Sequence, residues 1–246
     1  MNKMPVTILN FSGIYENQSI INNPEYLVID CKNISGTNGY CDDSAADEIR
    51  KILSDVAVNG INFIDNGNYH YISKFTTERV NTSFTLVVFD HHSDMMEPSF
   101  AGLLSCGSWI LNSAETNPYI KRVVLIGISE EQKELIPEIN KEIIVYTDAE
   151  IRQSSNVTFP NDVPVYISID KDVLSPDELV TSWDQGIIKT EELTSVLDSI
   201  LPDKELIGVD ICGECAPHTG ANDDDTTNES FNKLMVEYFQ RLSLTP

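Results

Sequence analysis

Asp90-x-His92-x-Asp94 and Asp170-x-Asp172 are the residues best placed to do chemistry, each directly after an apolar run, Leu86–Phe89 and Val163–Ile169. His70 closes the segment Asp65-Asn66-Gly67-Asn68-Tyr69-His70 after Ile61–Ile64, and Asp210 and Glu214 follow Leu206–Val209. At an extended strand end, residues i and i+2 point the same way. Asp90, His92 and Asp94 are therefore expected on one side, as are Asp170 and Asp172. Two like unit charges about 4 Å apart cost about 4 kcal/mol at an effective dielectric of roughly 20. Four carboxylates and two imidazoles in one crevice thus call for cations, and two divalent ions would neutralise the four acids. Oxygen-rich ligation with imidazole suits Mn²⁺ ahead of Fe, Co or Zn. A two-metal site can deprotonate a bridging water and clamp a tetrahedral intermediate. Singly, an Asp-x-His or Asp-x-Asp is common cap or turn chemistry. Co-occurrence on separate strands raises these motifs above that background.

The elements that must position them are short β-branched runs: Val6–Leu9, Tyr26–Ile29, Ile61–Ile64, Phe84–Phe89, Arg122–Ile126, Ile143–Tyr146, Val163–Ile169 and Leu206–Ile211. Near-continuous apolar runs suit strands covered on both faces. Helical spacing follows Asp42-Asp43-Ser44, follows Thr190-Glu191-Glu192, and runs from Glu229 to Leu242. The expectation is an α/β fold, a single three-layer domain over residues 1–246 with a mostly parallel sheet of roughly eight strands. Residues 219–228 read as a solvated loop. In such a sheet, function gathers at the carboxyl ends of the strands.

Composition narrows the partners. Sixteen basic against 39 acidic residues in 246 give a net charge of −23. That surface repels phosphate backbones and anionic lipid, so neither nucleic acid nor membrane is expected as a partner. Metal ions, amines and guanidinium groups fit it. Five cysteines make no disulfide framework, and Cys212 and Cys215 stand alone at C-x-x-C spacing, so reduced thiols are expected. Val6–Phe11 is too short for a secretory apolar region, and no apolar run reaches the 18 residues of a membrane span. Cytoplasmic residence is the resulting expectation, and a homo-oligomer is left open.

Asp90-x-His92-x-Asp94 resembles the D-x-H-x-D motif of the arginase/agmatinase (ureohydrolase) family. Ser168-Ile-Asp170-Lys-Asp172-Val-Leu-Ser-Pro176 resembles its S-x-D-x-D-x-x-D-P motif, Gly67-Asn68-Tyr69-His70 its G-G-D-H element, and Glu214-Cys-Ala-Pro217 its E-V-N-P element. All four occur in the family's order. The resemblance implies an arginase/deacetylase-like fold and two manganese ions, one held by His70, Asp90, Asp94 and Asp170, the other by His92, Asp90, Asp170 and Asp172. It further implies that Asp94 hydrogen-bonds the bridging hydroxide and that Glu214 holds the substrate guanidinium, so that a guanidino group is cleaved to urea and an amine. A carboxylate suits that last role, since it pairs bidentately with a planar cation.

Departures from the family pattern shape the substrate expectation. Cys106-Gly107 stands where arginases carry a proton-shuttling His-Gly, and Cys106 is expected to be a buried packing residue. Met96 stands where arginases bind the substrate α-carboxylate with Asn. Peptidyl arginine, a basic peptide whose carboxylate is masked, is therefore expected ahead of free arginine, with agmatine as the alternative. On the loop Ser182-Trp183-Asp184-Gln185-Gly186, Trp183 is a candidate pocket wall and Asp184 a candidate partner for a cationic substrate. His91 is expected to be structural. A single-zinc deacetylase-like hydrolase and a non-catalytic metal-binding protein also fit parts of the pattern. The Asp170–Asp172 pair argues for a second metal against the former, and the missing shuttle histidine keeps the latter open.

Overall fold

A computed structural model of the chain describes residues 3–98, 102–215 and 224–243. Ten strands occur among them: β1 (Val6–Asn10), β2 (Leu27–Asp30), β3 (Tyr40–Cys41), β4 (Ile61–Phe63), β5 (Phe84–Phe89), β6 (Leu104–Ser105), β7 (Ile120–Ile128), β8 (Glu142–Thr147), β9 (Val165–Asp170) and β10 (Leu206–Cys212). Eight form one sheet in the order β2-β1-β4-β10-β9-β5-β7-β8, every pairing parallel, while β3 and β6 make a small antiparallel ribbon. The eight expected strands are all present, shifted by at most two residues at an end. One such shift opens β9 at Val165, because Pro164 has no N–H to give the ladder.

Helices α1 (Asp43–Leu53), α2 (Ile72–Thr77), α3 (Trp109–Thr116), α4 (Glu130–Glu134), α5 (Asp148–Gln153), α6 (Thr190–Ile200) and α7 (Asp224–Ser243) cover the sheet. Alternation along β5 shows why the fold has three layers. Val87 and Phe89 pack with α6 (Leu193, Val196, Leu197) and α7 (Phe231, Met235, Phe239). Leu86 and Val88 point the other way, to Ile49 and Leu53 of α1, Phe75 of α2 and Trp109 of α3. The Asp42 side chain caps α1 by accepting from Ala45 N at 2.8 Å, and Glu192 reaches back to Lys189 N at 2.8 Å at the start of α6.

The expected loop at 219–228 needs correcting in part. Residues 219–223 lie outside the described residues, but α7 begins at Asp224, five residues before the expected Glu229. An Asp/Thr/Asn run has loop composition, yet the same residue types are favoured in a helix's first turn. Sheet order matters most for function. The strands β4, β10, β9 and β5 lie side by side, so the loops after them share one edge.

Candidate metal centre

The two Asp motifs converge at that edge through turns rather than through extended strand. After β5, the His92 backbone N–H donates to Asp90 Oδ1 at 2.6 Å, and Asp94 takes a left-handed conformation at φ 47°, which Asp tolerates better than most residues. After β9, Asp172 N donates to Asp170 Oδ1 at 3.1 Å and starts a 3₁₀ turn. After β4, Asn66 caps a turn over Gly67–Tyr69 that carries His70 inward.

His70 Nδ1 lies 3.2 Å from Asp90 Oδ2, 3.1 Å from Asp94 Oδ2 and 3.4 Å from Asp170 Oδ2. His92 Nδ1 lies 3.0 Å from Asp172 Oδ2 and 3.6 Å from Asp90 Oδ1. Two groups with metal-ligand spacing result: His70, Asp90 and Asp170; and Asp90, His92 and Asp172. Asp90 belongs to both. The donor set fits a pair of divalent cations, and one atom points the same way: Asp90 Oδ2 is buried and makes no well-directed hydrogen bond, although His70 Nδ1 lies 3.2 Å away. A buried carboxylate oxygen so poorly satisfied costs free energy that a cation would recover.

Outer contacts aim the imidazoles. His70 Nε2 lies 2.9 Å from Ser168 Oγ, itself 3.1 Å from Ser73 Oγ, and this turns Nδ1 to the carboxylates. His92 Nε2 lies 3.2 Å from Asp184 Oδ1 in the same arrangement. Trp109 Nε1 donates to Asp94 Oδ2 at 2.8 Å. Such partners fix ring orientation and ligand basicity. Ser168→Ala is therefore expected to weaken metal binding about 10–100-fold while the fold survives, a result that metal titration by calorimetry would show directly.

Electrostatics match this packing. Burial, with Asp90 alongside, pushes the Asp94 carboxyl up to about 6. Burial and the adjacent Asp170 and Asp90 push Asp172 well above the usual carboxylate range. Burial alone would lower His92, but Asp172 and Asp90 outweigh it and hold the ring up to about 12. The cluster thus retains protons by sharing them, and divalent cations would take their place.

The remaining candidate residues divide. Trp183 lines the pocket with its ring half-exposed, and Met96, Glu97, Asn68 and Cys106 line it too. Cys106 is only partly buried and faces the pocket, so the packing role expected for it does not hold. Asp184 is turned to His92 rather than to the pocket. Cys212 and Cys215 are buried and form no disulfide among the described residues, and Cys212 Sγ donates to the Ile64 and Asn66 carbonyls. Asp65 and Asp210 serve structure: Asp65 accepts from Phe11 N, Ser12 N and Asn66 N, and Asp210 from Asn62 Nδ2, Thr76 Oγ1 and Tyr166 OH. His91 donates its backbone N–H to Asp172 Oδ1 at 3.1 Å.

Glu214 is placed differently from what the resemblance implied. Gly213, at φ 94°, passes so close to the metal loop that a Cβ there would come 2.3 Å from Asp170 Oδ1 and 2.7 Å from Lys171 N. Backbone therefore faces the centre, and Glu214 turns to the far side. Its Oε1 receives Lys171 Nζ at 2.5 Å and Asn232 Nδ2 at 2.7 Å, and its Oε2 receives Gln18 Nε2 at 2.9 Å. Lys171 and Glu214 are both fully buried. An internal ammonium occupies the carboxylate that was expected to meet the substrate cation. Ala216 and Pro217, the rest of that motif, lie outside the described residues.

Sheet and site together define a three-layer α/β protein with a candidate two-metal centre at the carboxyl edge of its strands. The arginase family pattern matches residues 5–240, and the chain belongs to the arginase family, hydrolases acting on amidino and guanidino compounds. An uncharacterized protein of Thermotoga maritima is 32% identical over 241 residues, covering 98% of this chain and 92% of that one. Among solved structures of the same fold, proclavaminate amidino hydrolase from Streptomyces clavuligerus has a TM-score of 0.68 at 15% identity, covering 98% of this chain and 92% of its own. A formiminoglutamase from Trypanosoma cruzi, solved with Mn²⁺, has a TM-score of 0.64 at 13% identity, covering 99% of this chain and 95% of its own.

Proposed function

We propose that this protein is a binuclear Mn²⁺ hydrolase that cleaves the guanidino group of arginine within a peptide, leaving ornithine and releasing urea. One observation carries the choice of substrate: Met96, 55% exposed, and Glu97 line the pocket, no Lys or Arg among the described lining residues offers a countercharge to an α-carboxylate, and Asn68 there is engaged with Asn38 and Trp183. A site selective for free arginine needs a partner for the α-carboxylate, and leaving that group unpaired costs affinity. An arginine within a peptide carries no such charge, and the −23 net charge favours a basic peptide's approach. The pocket, of roughly 490 Å³, has room for the side chain and its flanking backbone. Mn²⁺ is favoured by the donor set of four carboxylates and two imidazoles, and the T. cruzi relative of the same fold carries it.

His70, Asp90, Asp94, His92, Asp170 and Asp172 would hold the two ions, with Asp90 and Asp170 shared. When bound, they supply an activated water and positive charge against the charge developing around the guanidino carbon. Ser168 and Asp184 keep the two Nδ1 atoms on station. Asp94, with Oδ2 fixed by Trp109, stands in the pocket wall where it would accept the attacking water's proton. Cys106 is no nucleophile: burial and Asp94 push its thiol up to about 12, so it keeps its proton at neutral pH. His92 is the one imidazole among the described lining residues.

The reading is tested by incubating Mn²⁺-loaded protein separately with an arginine-containing peptide, free arginine and agmatine. Urea release and loss of a CN₂H₂ unit from the peptide are expected, with little turnover of free arginine. Efficient hydrolysis of free arginine with none of the peptide would overturn it. The metal has its own test. Chelation with EDTA should lower the melting temperature, and Mn²⁺ should restore it better than Mg²⁺, because imidazole ligands disfavour Mg²⁺. At a metal concentration about 100-fold above Kd, the gain is roughly 2.7 kcal/mol per site, or about 5–10 °C for a chain of this length.

A further inference from the structure

We propose that Trp183 binds the substrate's guanidinium by stacking, the role the sequence had suggested for Glu214; this rests on the guanidino-hydrolase reading above. With Glu214 joined to Lys171, the pocket needs another group that distinguishes a planar cation. Trp183 is 42% exposed and lines the pocket, and it is held rather than loose. Its Nε1 donates to Asn68 Oδ1 at 3.0 Å, and Asn68 Nδ2 donates to Asn38 Oδ1 at 2.8 Å. Its backbone carbonyl accepts from Thr181 Oγ1 at 3.0 Å, and three residues on, Gly186 N donates to Asp172 O at 2.7 Å.

Gly67 sets where the indole lies. A Cβ at this position would come 2.7 Å from Trp183 Cδ1 and 3.4 Å from Asp170 Oδ2. The absent side chain lets the ring lie beside the shared carboxylate, and the His92 ring meets it edge-on with centroids 5.8 Å apart. An indole is the best of the aromatic faces for a cation, and a guanidinium stacks on it through its whole plane. A cation seated there has its carbon next to the metal ligands. Three loops, carrying Asn38, Asn68 and Trp183, build this one surface.

The test compares the Mn²⁺-loaded parent with Trp183→Leu and Trp183→Phe. The probes are an arginine-containing peptide and its citrulline counterpart, which has nearly the same shape without the charge. Trp183→Leu is expected to raise KM for the arginine peptide about tenfold, with kcat within about twofold and manganese content unchanged. Trp183→Phe should recover most of the affinity. By calorimetry, binding of the citrulline peptide should be the same in parent and Trp183→Leu, since it offers no cation to lose. Equal weakening of both peptides would overturn the proposal, because a merely steric wall predicts that. Equal affinity of parent and Trp183→Leu for the arginine peptide would also overturn it. Tight, Trp183-dependent binding of the arginine peptide without urea release would uphold the stacking role and overturn the hydrolytic reading alone.

Discussion

Asp170→Ala is expected to empty both metal positions, to abolish guanidino hydrolysis by at least about a thousandfold, and yet to leave the metal-free protein no less stable than the metal-free parent. Asp170 stands at the end of a central strand, 3.4 Å from His70 Nδ1, and would serve both ions. Burial, with Asp90 adding to it, pushes its carboxyl up from the usual range. A group with a raised folded pKa loses stability as pH climbs past its unfolded value, so at neutral pH ionised Asp170 costs the empty fold free energy. Removing it relieves the empty site and destroys the filled one. Melting curves with EDTA and with Mn²⁺ separate the two effects: the variant should match or exceed the parent in EDTA and gain nothing from Mn²⁺. A variant that still gained several degrees from Mn²⁺ would show that Asp170 is not a shared ligand.

Lys171→Met is expected to destabilise the protein by about 3–5 kcal/mol, since it strands the Glu214 carboxylate without its cation. For a chain of this length that is roughly 6–20 °C in melting temperature. Glu214→Gln alone should cost a similar amount, because burial already pushes the Lys171 ammonium down and Glu214 is what supports its charge. The double variant Lys171→Met/Glu214→Gln leaves no unpaired charge and should regain much of the loss. It should also still hydrolyse guanidines, whereas a Glu214 that gripped the substrate would make every variant at that position inactive. Urea release by the double variant, set beside its melting temperature, distinguishes a buried strut from a substrate contact.

Much of this architecture was legible in the residues, for identifiable reasons. Strands such as β5 are buried on both faces, so an unbroken apolar run marked them without any alternation to decipher. Asp90, His92, Asp94, Asp170 and Asp172 were legible because acid and imidazole side chains concentrate directly after those runs, where a parallel sheet gathers its loops. The short helices α2, α4 and α5 escaped because five or six residues carry too little period to register. The pairing of Lys171 with Glu214 escaped for a different reason. It joins positions 43 residues apart and depends on Gly213 turning the chain over. A signal did exist: Lys171 sits between the two carboxylates of the candidate centre and is fully buried, so its ammonium needs an acid on another side of the loop. Ser168 and Trp109 were likewise hidden, since a serine or tryptophan becomes a partner of His70 or Asp94 only once the fold brings it near.

A centre of two metal ions built from these six side chains underlies the proposed reaction and the activity expected of the variants above. Elemental analysis of the Mn²⁺-reconstituted, gel-filtered protein measures it most directly. Two manganese ions per chain are expected from the parent and close to none from Asp170→Ala, while one ion or none in the parent would contradict the account.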